Sequence, residues 1–590
     1  MNREKVQHSF ATILFPLFLA VVIGALAGLG AVCFRWLIGF EVDLFWQGSG
    51  GFLEQYQKAH WLWQLSIPVL VGLIMGPVLV YLAPEVKGAG VPEVMISLAQ
   101  RDGIIRHRVT MIKSLVTATF IAAGASVGRE GPIVQIGSSI GSSLTQLFGL
   151  GPEKRRLAIA CGAAAGIAAT FQAPMAGTLF VVEILLFDLE VTSLSNIVIA
   201  AVTGTVVAKG FWGDESLFDV PFFTVAHPSE LGLYFILGLV AGLFSLLFIG
   251  LVFGMVRLWQ KVNLPGWLVP AVVGLAIGVC GLAMPQVLGV GYETVGLSLT
   301  GELLLGSAAL ILFAKLLLTG ICTGSGIPGG IFAPSLFLGA MLGTIFGYIA
   351  QAAWPDIGLA PAHFALVGMG AMVSGTTLAP ITAILTIFEL TYNYEIVLPL
   401  MVACIPSLLV VKLLHGYSIY ETSLLMRGIR LVRGHDVNQL RTMRVWEHMH
   451  REFESLQSET PIHEVVEKIL ASSFPHFIVV NEADELVGVL TLRDVRAQLQ
   501  NQENSYDGMT ASDLMQKDVI TVREDQNLET AFHIFSEHKF SFLPVLDSRN
   551  PGRVNGYLKN SDLVTAYDQY VLRGQLPAEG TMLTKLSRKR

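Results

Sequence analysis

Gly128-Arg129-Glu130-Gly131-Pro132 stands between two apolar runs, residues 111–127 and 133–150. An arginine and a glutamate held at membrane depth cost roughly 2.5–3.5 kcal/mol each on insertion scales, so they persist there only with partners and a purpose. The glycines let the backbone come close to a bound ion, and Pro132 suits the first turn of a helix. A helix starting here turns its free N–H groups, and the positive end of its dipole, toward whatever lies in front. The stretch reads as an anion site with a carboxylate placed in it. The alternative, a loop outside the membrane with a surface Arg–Glu pair, fits poorly with apolar flanks on both sides.

Composition sets the class around that stretch. Of 590 residues, 53% are hydrophobic and 14% charged, against about 25% charged in soluble proteins, so most of the chain belongs in lipid. The charge is uneven: apolar runs dominate from Phe10 to about Tyr420, and an ordinary mixed-charge sequence follows from Arg427. This divides the chain into a polytopic membrane domain (1–430), a basic linker (431–444) and a soluble part of ordinary domain size. The net charge of −7 carries no nucleic-acid signature. Cys33, Cys161, Cys280, Cys322 and Cys404 all lie in apolar segments, so neither a disulfide framework nor a zinc site is expected.

The first apolar run reaches about Ile38. It is too long for a signal-peptide core and shows no small-residue cleavage site, so it reads as a retained first membrane helix. Arg101, Arg106 and Arg108 crowd one loop, and Arg427, Arg430, Arg433, Arg441 and Arg444 follow the last apolar run. Both regions read as cytoplasmic by the positive-inside rule, whereas 41–63, without arginine and rich in aromatics, reads as an outside loop. Both termini are then expected in the cytoplasm. Apolar runs such as 158–169 and 175–187 fall short of the ~20 residues a span needs. Such broken helices are tolerated in lipid only where they line a cavity, as in transporter folds.

An internal repeat carries the same message. Gly128, Pro132, Gly137 and Gly141 recur at Gly330, Pro334, Gly339 and Gly343, each 202 residues on (330 − 128 = 202), and Lys113 recurs as Lys315. Ala173-Pro174 with Glu183 recurs as Ala379-Pro380 with Glu389, 206 residues on (380 − 174 = 206). Two halves with equivalent broken helices place a site at their interface.

Gly88-Ala89-Gly90-Val91-Pro92-Glu93, Gly128-Arg129-Glu130-Gly131-Pro132, Gly330-Ile331-Phe332-Ala333-Pro334 and Ser418-Ile419-Tyr420-Glu421 occur in this order. In order and approximate spacing the chain resembles the CLC family of chloride channels and chloride/proton exchangers. The resemblance implies a homodimer with one pore per subunit and chloride, with other small anions, as substrate. It implies that Glu130 is the gating glutamate, whose carboxylate fills the outer anion site and leaves when protonated or displaced. Ile331 and Phe332 would offer backbone N–H groups to a central anion, Tyr420 its hydroxyl. The segments Ala89-Gly90 and Gly128, Arg129 and Gly131 would frame the same path. The physics agrees: an ion that must also leave is better held by amides and hydroxyls than by a lysine clamp. Burial favours the neutral acid at Glu130 while N–H donors favour its carboxylate, the balance a switch needs.

Two departures from the family pattern bear on function. Ala89 stands where the family usually has a serine whose hydroxyl contacts the central anion. Gly324-Ser325-Gly326-Ile327-Pro328 spells that pattern better, but it leads directly into Gly330 and is a decoy by position. After Glu183 the family's exchangers commonly carry a second glutamate as inner proton relay, and here Ile184 stands there. An isoleucine carries no proton. The reading at this level is therefore a chloride channel gated by Glu130, with a chloride/proton exchanger as the alternative.

Other charges receive a structural reading: Glu93, Arg129, Lys113, Lys315, Glu183 and Glu389 are expected as buried partners whose loss breaks the fold. Gly137-Ser138-Ser139-Ile140-Gly141 matches the hydrolase G-x-S-x-G pattern but lies in a helical run, without the strand–turn–helix context or a placed histidine. No enzyme is expected. A remote alternative, a ligand sensor anchored by its membrane part, requires that the chain conduct nothing.

A second repeat occupies the soluble part. His476-Phe-Ile-Val-Val-Asn481 leads to Gly488 and Asp494, and Phe542-Leu-Pro-Val-Leu-Asp547 leads to Gly556 and Asp562 (556 − 488 = 68; 562 − 494 = 68). Each β-rich run is preceded by a helical pattern, at 462–472 and 528–537. This resembles a tandem pair of CBS domains, 445–505 and 506–574, ending in a basic tail, 575–590. The resemblance implies an adenine-nucleotide site at Thr491 with Asp494, and a half-matched one at Lys559 with Asp562. No metal or other cofactor is expected. The fold class is a polytopic α-helical membrane protein with inverted repeats and broken helices, followed by a cytosolic α/β CBS module.

Overall fold

The structure, a computed structural model, describes residues 3–48, 50–101, 103–186, 191–213, 218, 223, 227–429, 440, 443–472, 474, 476–501, 508–538, 541–550 and 552–566. Most of the basic linker, with Arg430, Arg433 and Arg441, and all of the tail lie outside the described residues. The chain divides into two compact units, Met1–Leu431 and Val432–Arg590.

The first unit is helical. Its first half runs α1 (Arg3–Trp46), α2 (Phe52–Lys58), α3 (Trp61–Pro77), α4 (Gly90–Gln100), α5 (His107–Ala122), α6 (Glu130–Leu147), α7 (Pro152–Phe171), α8 (Pro174–Phe180) and α9 (Val191–Trp212). The second runs α10 (Glu230–Lys261), α11 (Val269–Ala283), α12 (Tyr292–Leu299), α13 (Leu305–Gly324), α14 (Phe332–Ala353), α15 (Pro361–Thr377), α16 (Pro380–Thr391), α17 (Val397–Leu414) and α18 (Ile419–Met426). Among the described residues, seven helical stretches are long and apolar enough to cross a membrane. Segment 41–63, expected as an outside loop, is largely helical. α1 continues past Ile38 to Trp46, α2 takes Phe52–Lys58 and α3 starts at Trp61. Two of its aromatics are packed: Trp46 and Tyr56 are buried, their rings 4.8 Å apart, and Trp46 Nε1 donates to the Ala122 carbonyl at 2.8 Å, whereas Trp61 and Trp63 are exposed.

The repeat is also a repeat of mechanics. α7 ends on Gln172 (φ 53°) and α15 on Leu378 (φ 55°), equivalent positions (378 − 172 = 206). A left-handed residue of this kind is uncommon outside glycine and stops a helix by turning the chain away. Pro174 and Pro380 then start α8 and α16 at the position where a missing N–H is harmless. Both breaks are thus built from one device. The packing repeats as well. A Cβ on Gly137 would overlap the Gly162 carbonyl, and one on Gly339 the Gly368 carbonyl, so α6 lies against α7 as α14 lies against α15, backbone to backbone. From Ala158 to Phe171 and from Phe364 to Thr377 every residue is buried. Helices apolar all round belong in the centre of each half. Where the halves meet, Gly128 and Gly330 exchange two backbone hydrogen bonds of 2.8 and 2.7 Å as an antiparallel bridge.

The second unit contains two three-stranded sheets, β1 (Ser455–Gln457), β2 (His476–Val480), β3 (Leu486–Thr491) and β4 (Val522–Arg523), β5 (Phe542–Leu546), β6 (Val554–Lys559). In each, the first strand pairs parallel and the third antiparallel with the middle one, and each middle strand bulges at the same place, Val479/Val480 and Val545/Leu546. Ile478, Val480 and Val554 form a core between the sheets. The equivalent residues His476 and Phe542 stack face to face, 4.5 Å apart and 7° from parallel.

Candidate functional site

Three helix starts converge at the join between the halves of the membrane unit. α4 begins at Gly90, α6 at Glu130 and α14 at Phe332. A Cβ on Gly90 would overlap the Gly131 carbonyl, and one on Gly131 would come within 3.0 Å of the Gly90 nitrogen and 3.4 Å of Gly330. Glycine alone lets these backbones approach, and each helix brings first-turn N–H groups that have no partner within the helix.

The Glu130 side chain is fully buried at this point. Its Oε1 accepts from the Ala333 amide at 3.1 Å, and the Phe332 amide and its own also act on the carboxylate. Oε2 has no hydrogen-bond partner. A Cβ on Gly128 or on Gly330 would overlap this carboxylate. The carboxylate therefore lies on the first-turn amides of α14, the seat a small anion takes at a helix start. Ala333 was not among the expected residues, although counting free amides locates it: Pro334 has none, which leaves 332 and 333.

Ile331 also lines a cavity of about 240 Å³. Ala89, Gly88, Ile331 and Ser423 line it, together with the cations Lys87 and Arg427, and no described carboxylate does. Ala89 caps α4 without a side-chain hydrogen bond. Tyr420, on α18, is buried with its hydroxyl unpartnered, close enough to Glu130 to feel its charge. An orphaned buried hydroxyl is a donor in want of an acceptor. Lys87, Arg427 and Ser423 were not anticipated, because only the fold brings 87, 423 and 427 to one cavity.

Arg129 carries two expectations, a place framing the anion path and a buried structural partner, and its side chain takes the second. Its backbone caps α6, but the guanidinium lies 5.1 Å over the Tyr292 ring and donates to the Thr170 carbonyl at 3.4 Å. The side chain points into packing. The remaining intramembrane charges behave as partners. Glu183 accepts from the Ile381 and Thr382 amides (3.2 and 2.7 Å) and the Thr382 hydroxyl (2.6 Å), closing the start of α16. Glu389 accepts from the Met175 and Ala176 amides (2.9 and 2.7 Å), closing the start of α8. Each half thus caps the broken helix of the other. Lys315 donates to the Val287 and Gly289 carbonyls (3.0 and 2.8 Å), Glu93 pairs with Arg427, and Lys113 has no hydrogen-bond partner. Ser139 lies inside the unbroken α6, with no nucleophile turn. Ile184 is buried among apolar residues, in a π-helical turn Val181–Leu186.

In the second unit the expected nucleotide residues face their own backbone. The Thr491 amide and hydroxyl donate to Asp494 Oδ2 (2.9 and 2.6 Å), and Gln516 donates to Oδ1 (3.0 Å). The Lys559 amide donates to Asp562 Oδ2 (2.8 Å), and His450 Nε2 lies 3.1 Å from that oxygen. The Lys559 ammonium sits 5.4 Å over the Tyr557 ring. Burial and then the Lys559 charge hold His476 below the ordinary histidine range.

Comparison with known proteins agrees with this arrangement. The sequence profile described as "Voltage gated chloride channel" matches residues 69–412, and that of the CBS domain matches 445–501 and 511–569. The chain is 34% identical to a Ralstonia nicotianae protein named as a ClcB-like chloride channel protein, across 69% of this chain and 96% of that one. It is 33% identical to the H(+)/Cl(-) exchange transporter ClcA of Klebsiella pneumoniae, across 72% of this chain and 90% of that one. Its structure superposes on a slow cyanobacterial Cl-/H+ antiporter with a TM-score of 0.65 at 28% identity, covering 70% of this chain and 97% of that one. A eukaryotic CLC transporter, 22% identical, shares the fold over 94% of this chain and 98% of its own, with a TM-score of 0.63. By its profile, its relatives and its multi-pass apolar helices, the chain belongs to the CLC family of anion-transporting membrane proteins and carries two CBS domains after the membrane unit.

Proposed function

We propose that this chain exchanges chloride for protons, one pathway per subunit of a homodimer in the lipid bilayer, with both termini and the CBS pair in the cytoplasm. The observation that carries this is the Glu130 carboxylate lying on the Ala333 amide with its second oxygen free. One group then alternates between two jobs. As a carboxylate it occupies the anion seat, and once protonated it releases the seat to chloride and carries the proton. The relatives named as exchange transporters support this reading over the passive channel expected from Ile184. Two observations favour the channel, namely Ile184 itself and the channel name of the Ralstonia relative. The CBS pair is proposed as a regulator that acts through packing. An adenine nucleotide would first have to displace the contacts holding Asp494 and Asp562.

Reversal potential, measured on the reconstituted protein under combined chloride and pH gradients, separates the two. An exchanger shifts away from the chloride Nernst value as the pH gradient changes, and a potential that follows chloride alone refutes the proposal. Ala89 bears on selectivity. Ala89→Ser places a hydroxyl donor at the start of α4, on the wall of the 240 Å³ cavity, and a hydrogen bond to a charged group contributes about 1.5–3 kcal/mol, roughly tenfold or more in affinity. Chloride should gain by about that factor relative to nitrate in competition flux assays. Unchanged ratios among chloride, bromide, nitrate and fluoride would remove position 89 from selectivity.

A further inference from the structure

At the gate, two buried groups that could satisfy each other do not. Arg129 is 8% exposed and Glu130 0%, and the two are neighbours in the chain. The Arg129 Nε–H donor and the Glu130 Oε2 acceptor are both without a hydrogen-bond partner. An orphaned buried donor one residue from an orphaned buried acceptor is an arrangement that pairing would relieve. The guanidinium is held away instead. It lies 5.1 Å over the Tyr292 ring, within the ~6 Å range of a cation–π contact, and its one printed bond, to the Thr170 carbonyl, is long at 3.4 Å. Tyr292 is in turn fixed from several sides. It opens α12 behind Gly291, whose φ of 86° favours glycine, and a Cβ at 291 would overlap the Phe337 ring. Phe218 meets the Tyr292 ring edge-on at 5.6 Å. Phe337 belongs to α14, so the helix whose amides seat Glu130 also sets the ring that carries the arginine.

We infer, resting on the reading of Glu130 as the gate, that Tyr292 is a positioning residue: by holding Arg129 on its ring it keeps the guanidinium from locking the gate carboxylate into the anion seat. A direct Arg129–Glu130 pair would be a charge-assisted contact that favours the carboxylate, and a carboxylate that resists protonation does not leave the seat. With the guanidinium on the ring, its charge acts on Glu130 only through space. The space beyond the ring sharpens the role. Tyr292 lines a cavity of about 160 Å³ whose walls include Ile38, Val42, Ile121 and Leu288. Without the aromatic face, the guanidinium is left against these apolar walls, and a buried cation short of partners turns to the free oxygen one residue away. The other charged groups around Tyr292 and Glu130 are engaged elsewhere. Arg35 lies 4.4 Å over the Trp212 ring, Lys315 donates to the Val287 and Gly289 carbonyls, and Glu293 accepts from the Leu53 amide at 3.0 Å. The titratable group facing Glu130 from α18 is the Tyr420 hydroxyl.

The test is the pH profile of chloride flux in vesicles holding the full chain. Tyr292→Leu removes the aromatic face, and its profile should move to lower pH by about one unit or more, about tenfold more acid for the same flux. Tyr292→Phe keeps the face and should keep the wild-type midpoint. Tyr292→Met makes the same prediction as leucine should the leucine variant fail to fold. The shift needs the guanidinium, so Arg129→Gln combined with Tyr292→Leu should abolish it. The comparison of leucine or methionine with phenylalanine decides the question without that double variant. A wild-type profile flat in pH fells the gate reading and this inference with it. A pH-dependent wild type whose midpoint is left in place by Tyr292→Leu, with flux lowered equally at every pH, marks a packing fault and overturns the positioning role alone. An equal shift in Tyr292→Phe, or a shift that survives loss of the guanidinium, overturns it as well.

Discussion

Glu130→Gln should leave a protein that moves chloride at a rate indifferent to pH and no longer moves protons. In the wild type, chloride flux should rise as pH falls, because protonation weakens the hold of the Ala333 amide on the side chain and clears the seat. A hydrogen bond to a carboxylate is stronger than one to a neutral acceptor, and bonds to charged groups contribute about 1.5–3 kcal/mol, a factor of roughly 10–100 in occupancy. Glutamine has the same shape but neither the charge nor the proton, so it gives up both the pH dependence and the carriage. Proton uptake driven by a chloride gradient should fall at least about tenfold. Gly330→Ala should give a related result by another route, since its Cβ would take the space of the carboxylate without touching its chemistry. Parallel proton and chloride fluxes between pH 4.5 and 7.5 check both. A Glu130→Gln protein with wild-type pH dependence would remove Glu130 from the gate.

The other large effect is on folding rather than transport. Glu183→Ala strips the acceptor from two amides and a hydroxyl at the start of α16, and Glu389→Ala from two amides at the start of α8. No bilayer water replaces a lost partner there, so each change should destabilise the fold by about 3–5 kcal/mol. Glutamine, a neutral acceptor of the same reach, should recover part of it. Thermal unfolding in detergent reads the effect as a lower midpoint and a lower yield of folded protein, ordered alanine, glutamine, wild type. Anion selectivity of whatever folds should be unchanged. Alanine variants as stable as the wild type, or folded variants with altered selectivity, would contradict the capping role.

Much of this was legible in the residues themselves. Glycine and proline at constant offsets announce helix starts, because those residue types alone suit close approach and a first turn without an N–H. A glutamate between two such glycines in an apolar run has few uses other than an anion seat. The equal spacing of Ala173-Pro174 with Glu183 and Ala379-Pro380 with Glu389 marked the repeated breaks and two carboxylates as buried partners, without saying what they bind. Composition misled at 41–63 over the loop, since much of that stretch is helical, with Trp46 and Tyr56 packed and Trp61 and Trp63 left exposed. At Arg129 the structural reading fits better than the family pattern, since its guanidinium lies over the Tyr292 ring.

By itself, then, the sequence determined the family, the two-fold repetition, the helix starts and the carboxylate at the centre, all of which are local properties of chain stiffness, missing N–H groups and apolar length. Only the tertiary structure decided who faces whom: Glu130 on Ala333, Glu183 on α16, Glu389 on α8, and Glu93 on Arg427. A helix start declares that its amides are free, but their partner lies some 200 residues away (333 − 130 = 203; 382 − 183 = 199) and is chosen by packing geometry, which no local pattern encodes.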